Sequence, residues 1–112
     1  MLTNEKVLEI FQDYLNEDQA AEVVMTRHGY AVMLWDHAGQ DWSDVECCPT
    51  PEELFDKLLD SYALYQEFLM IRDKRDCEGE INEAERAQIQ EMCLPYLEKR
   101  KVDRAGDVAL QN

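Results

Sequence analysis

Apolar positions in the opening stretch "TNEKVLEIFQDYLNED" fall at Val7, Leu8, Phe11, Tyr14 and Leu15, with acids filling the opposite side. Steps of three and four residues draw one apolar stripe down a helix, and Thr3 is placed to cap it. A single first helix is therefore predicted, ending between Asn16 and Asp18. The period then changes. "EVVMTRHGYAVMLWD" is rich in Val, Thr, Tyr and Trp, residues that suit a pleated surface, and His28-Gly29 interrupts it where a tight turn belongs. Two antiparallel strands follow, over about 22–28 and 30–36.

"HAGQ" at 37–40 reads as a second turn in which Gly39 takes a positive φ. The following "DWSDVECC" alternates, which directs Trp42, Asp44 and Glu46 to one side and Ser43, Val45 and Cys47 to the other. A third, shorter strand completes a meander, and its last place in the order puts it at an edge, where acids discourage stray pairing. Alternation also assigns the tryptophans: Trp35 shares a side with Ala31 and Met33 and is expected in the core, whereas Trp42 is expected at the surface.

In the second half the helical period returns. Thr50, Pro51 and Glu53 make a capping box with proline at the first helical position. Leu54, Leu58, Tyr62, Tyr65 and Leu69, flanked by Phe55, Leu59 and Phe68, form a broad apolar stripe over five turns. That helix is expected to stop at "CEGE", with Gly79 after a basic last turn of Arg72, Lys74 and Arg75. Asn82 and Glu85 repeat the capping box, and Ile89, Met92, Cys93, Tyr96 and Leu97 line one face of the next helix. Pro95 should kink or end it near Leu94, because proline lacks the N–H and crowds the preceding turn. The basic cluster Lys99 to Lys101 complements a helix C-terminus.

The fold class predicted is α+β: a three-stranded antiparallel meander packed on helices, in the order α-β-β-β-α-α. Residues 1–101 are read as a single acidic domain, long enough for one core and too short for two, and residues 102–112 as a flexible C-terminal tail. Composition agrees with a globular chain, since 46% of the residues are hydrophobic and Gly plus Pro number only seven. The longest uninterrupted apolar run, Ala31 to Trp35, falls far short of the roughly 20 residues that cross a bilayer. No basic-then-apolar leader opens the sequence, so a cytoplasmic location is expected and the four cysteines are read as free thiols.

Charge changes the picture most. The formal net charge is −14 and the pI is about 4.3. Residues 1–60 hold 14 acids against 3 bases, and residues 61–112 hold 11 against 8, so the negative field belongs to the first half. Repulsion from phosphate opposes direct contact with nucleic acid or an anionic membrane. The excess is also larger than solubility requires, since a magnitude of about 2 to 8 serves a small domain.

Reactive chemistry finds little support in the pattern. Cys47, Cys48, Cys77 and Cys93 include no C-x-x-C pair, and with His28 and His37 they lack the spacing of a tetrahedral zinc site. Adjacent Cys47 and Cys48 face opposite ways on a strand. A thiolate nucleophile needs an electropositive setting, and here Glu46 and the surrounding acids supply the reverse. No phosphate-binding loop, dinucleotide fingerprint, nucleophile elbow or calcium loop is present. A non-enzymatic protein is expected, with no catalytic residue, no metal and no cofactor.

Concentrated carboxylates on a rigid fold suit imitation of nucleic acid, because they can occupy a basic groove that otherwise holds phosphates. The order helix, three-stranded meander, long helix, second helix, over residues 1 to about 94, together with the acidity, resembles the small anti-CRISPR inhibitors of RNA-guided DNA nucleases. "VVMTRHGYAVMLWD" also looks like small proteins carried on bacterial mobile genetic elements. The anti-CRISPR resemblance implies a partner that is a basic nucleic-acid-binding protein, most concretely a CRISPR nuclease. It also implies that Asp36, Asp41, Asp44 and Glu46 face the arginines that read the DNA motif beside the target, with Trp42 as an aromatic anchor. The competing expectation is an interaction adaptor or regulatory subunit that uses an apolar helix face.

Overall fold

The computed structural model describes residues 2–73 and 81–111, with side chains over 2–72 and 81–101. Elements follow the order α1 (Asn4–Ile10), α2 (Gln12–Glu17), β1 (Ala21–Thr26), β2 (Gly29–Asp36), β3 (Asp41–Cys48), α3 (Pro51–Asp73) and α4 (Glu83–Gln111). The sheet is a three-stranded antiparallel meander, β1-β2-β3, so the architecture is α+β as predicted, with β3 at an edge.

The first helix arrives in two pieces. Phe11 stands between α1 and α2 with φ −97° and ψ 11°, off helical geometry, yet its own N–H still bonds the Val7 carbonyl and its carbonyl still accepts from Leu15. At this break the Phe11 ring is fully buried. That ring meets Phe55 of α3 edge-on at 5.1 Å and stacks on Tyr96 of α4 at 4.7 Å. Three helical segments thus converge on one side chain.

Capping follows the sequence closely. The Thr3 hydroxyl accepts from the Lys6 N–H. Thr50 and Glu53 bond each other's backbone N–H groups, and Asn82 and Glu85 do the same. The stop expected at "CEGE", with Lys74, Arg75 and Gly79, lies outside the described residues.

In the β1–β2 hairpin Gly29 takes φ +114°, and a Cβ there would meet the Cys48 carbonyl and Pro49 at 3.0 Å. Gly39 behaves otherwise than expected. Gln40 adopts the positive φ, 55°, with its side-chain amide donating to the His37 carbonyl. A Cβ at Gly39 would come within 2.8 Å of the Asp36 carboxylate, which accepts from the Ala38 N–H in this turn, so that side chain would have to shift.

One bulge resets the faces of β3. Register runs Leu34 opposite Asp44 and then Trp35 opposite Trp42, so Ser43 is an extra residue, its hydroxyl bonded to the Leu34 carbonyl. The expectation that Trp42, Asp44 and Glu46 share a side is therefore corrected. Asp44 and Glu46 lie on the helix-covered side with Val32 and Leu34, while Trp42 joins Trp35, Met33 and Val45 on the other. Trp35 is corrected as well: the core takes Val23, Tyr30, Val32 and Leu34, leaving Trp35 half-buried against Trp42 at 4.9 Å on the open face.

Helix α3 covers the sheet with Leu54, Phe55, Leu58 and Tyr62, all buried, whereas Phe68 is 58% exposed rather than part of that stripe. Helix α4 packs against α3 through Ile89, Cys93, Tyr96 and Leu97, and Arg100 lies over the Phe55 ring at 4.4 Å. Pro95 does not end it. The helix continues to Gln111, because the apolar residues on both sides of Pro95 are held by the core while Pro95 itself faces solvent.

At the α2–β1 junction Asp18 is buried and fully used: one carboxylate oxygen accepts from the Tyr14 hydroxyl at 2.8 Å and the other from the Ala20 N–H at 3.1 Å. Burial, and then the Asp18 bond, push the Tyr14 phenol far above its ordinary pKa.

Removing the Phe11 ring leaves a cavity at the point where three helical segments meet, so Phe11→Ala is expected to cost about 3–5 kcal/mol in urea unfolding. Pro95→Ala should act in the opposite direction. Restoring one N–H on the exposed side of α4 is expected to stabilise by roughly 1–3 kcal/mol, read as a higher urea midpoint with an unchanged slope.

Candidate acidic binding surface

The four acids and one tryptophan singled out by the sequence do not form one surface. Asp36 and Asp41 are register partners at the β2–β3 turn, where each bonds a nearby backbone N–H, Ala38 at 3.1 Å and Trp42 at 2.8 Å. Trp42, 37% exposed, is on the open face of the sheet. Asp44 and Glu46 face α3.

There the two strand carboxylates meet a lysine. Lys57 Nζ lies 2.6 Å from Asp44 and 3.4 Å from Glu46. Burial works against the lysine's charge, but the bond to Asp44 and the charges of both acids prevail and raise its pKa above the ordinary value. A cation at this spot is held by two carboxylates in a partly dry setting, where such bonds are stronger than in open water.

Sequence reading missed the other half of the site. Glu53, Asp56 and Asp60 project from α3 beside Glu46, Cys47 and Lys57, lining a hollow of about 450 Å³. Positions 53, 56 and 60 share one side of a helix, next to the apolar stripe rather than opposite it. Helical spacing alone could have grouped them; only the packing of β3 on α3 shows that they stand next to Asp44 and Glu46. Asp56 is further tied to Arg100 at 3.3 Å, a link from α4 to the same patch. Five carboxylates, on Asp44, Glu46, Glu53, Asp56 and Asp60, therefore gather around Lys57, with Arg100 tied to Asp56.

Cys47 and Cys48 lie at the end of this hollow and face opposite sides of β3, Cys47 exposed and Cys48 buried. Burial, followed by the charge of Glu46, pushes the Cys48 thiol up to about 11. A thiol so disposed stays protonated and unreactive near neutral pH. Among the described residues no group of three or more His, Cys, Asp or Glu side chains is placed to hold a metal ion, and no helix is long and apolar enough to cross a membrane.

The raised Cys48 pKa has a defined sign. Below pH 9.0, its ordinary value, the thiol is neutral in both states; between there and about 11 the unfolded chain ionises first, so the contribution to stability is lost as pH rises through that window. In native protein at pH 8, iodoacetamide is expected to modify Cys47 and to spare Cys48 until urea is added, as read by peptide mass spectrometry. Native labelling of Cys48 at the rate of Cys47 would contradict this account.

No protein-family model, curated protein or solved structure matches this chain.

Proposed function

We propose that the chain is a non-enzymatic acidic protein that binds the basic surface of a nucleic-acid-binding protein, offering carboxylates where phosphates otherwise lie. The observation that carries this reading is the convergence of Asp44 and Glu46 from β3 with Glu53, Asp56 and Asp60 from α3. These acids are held by a rigid strand and a long helix, so little ordering entropy opposes binding. Their field adds to a net charge of −14, which steers a basic partner toward the surface.

Lys57 supports the reading from inside the molecule. Its ammonium sits between Asp44 and Glu46 as an arginine or lysine of a partner would sit among the neighbouring, more exposed carboxylates. Asp36 and Asp41, placed at a separate turn, contribute to the field rather than to this contact. The concrete candidate partner is a CRISPR RNA-guided nuclease, whose arginines read a short DNA motif in the major groove.

The test is binding to a guide-loaded nuclease, measured by calorimetry with and without DNA carrying that motif. Association is expected to be mutually exclusive with the DNA and to weaken steeply as salt rises. The triple variant Glu46→Gln, Asp56→Asn, Asp60→Asn should bind at least about tenfold more weakly, a loss of roughly 1.4 kcal/mol. Binding that is indifferent to salt and leaves DNA engagement intact overturns the phosphate-mimic reading.

A further inference from the structure

Beyond the acidic hollow, the line of contact between the sheet and α3 opens again. Leu34 and Ser43 on the sheet lie across from Ser61, Leu64 and Phe68 on α3 along a groove of about 690 Å³, with Trp35 at its rim. Its lining runs on in order from that of the acidic hollow: residues 46–48 and then 43 along β3, residues 53–60 and then 61–72 along α3. The two hollows are the ends of one valley, and the Lys57–Asp44 ion pair stands between them.

Positions 53, 57, 60, 64 and 68 of α3 follow one another at steps of three and four, so they form a single stripe. Its first half is charged and its second half apolar. Leu64 and Phe68 are 54% and 58% exposed, although they belong to the helix that covers the sheet. At a rise of 1.5 Å per residue, Glu53 to Phe68 spans about 22 Å. That length suits a short segment of a partner chain.

Polar groups in the groove indicate what the segment carries. Among the described lining residues, Glu17, Asp18 and Asp36 set three carboxylates against the guanidinium of Arg72, a negative balance. Ser61, only 2% exposed, lines the floor of the groove with its hydroxyl beside the Tyr14 phenol.

We infer that this groove is the anchor half of the same interface and takes a large apolar side chain flanked by arginine or lysine, on a basic segment of a partner protein. The inference rests on the acidic-surface reading and extends it from charge to shape. A second copy of the chain is disfavoured as occupant, because two surfaces of this sign repel. In this arrangement the charged end of the valley sets encounter, and Leu64 and Phe68 hold the bound segment by desolvated apolar contact.

Two synthetic peptides of equal charge separate the halves: one of arginine and leucine, the other of arginine and serine. Titrated into the full chain and followed by peptide anisotropy, the arginine–leucine peptide is expected to bind at least about tenfold more tightly. The double variant Leu64→Gln, Phe68→Gln, checked for an unchanged unfolding midpoint, should remove that advantage while leaving the arginine–serine peptide unaffected. If both peptides bind alike and the double variant changes neither, the anchor groove is overturned and the acidic surface stands. If neither peptide binds, both fail together.

Discussion

Phe11 is the point on which the rest of the structure depends. A three-stranded sheet with one covered side cannot be stable alone, and the helices that cover it must be held to one another as well as to the strands. The Phe11 ring does this by meeting Phe55 and Tyr96 at once. Its inward turn explains the break between α1 and α2, and its contact with Tyr96 explains how α4 passes Pro95 without stopping. An apolar contact shared among three segments outweighs a local helix propensity that would have given other boundaries.

From that junction the valley follows as a consequence. Helix α3 is pinned near Phe55 and Leu58, so its first half lies close against β3, and the acids on its flank stand next to Asp44 and Glu46. Toward the other end Leu64 and Phe68 remain uncovered. The same helix therefore offers charge at one end and apolar surface at the other.

The open face of the sheet has a different character. Trp35 and Trp42 pack edge-on beside Met33 and Val45, with the rings stabilising each other across the bulge. This face carries no part of the acidic valley. The bulge at Ser43 is what separates the aromatic and acidic residues that stand mixed together in "DWSDVECC".

Much was legible in the residues themselves, for reasons that are local. Thr3, Thr50 with Glu53, and Asn82 with Glu85 act within three positions of each other, and the change from helical to strand period at residue 21 needs no distant contact. Net charge and the acidic bias of the first half are properties of composition. Register is not. One inserted residue in β3 moved Trp42 away from Asp44 and Glu46, because strand alternation has period two and a single step exchanges the faces. Which acids stand together was likewise decided by the approach of α3 to β3, which brought Glu53, Asp56 and Asp60 beside two strand carboxylates and set Asp36 and Asp41 apart. Sequence determined how much negative charge this protein carries and which segments are helix or strand; only the tertiary packing decided where that charge is gathered, since proximity across elements depends on register and helix placement that no local pattern contains.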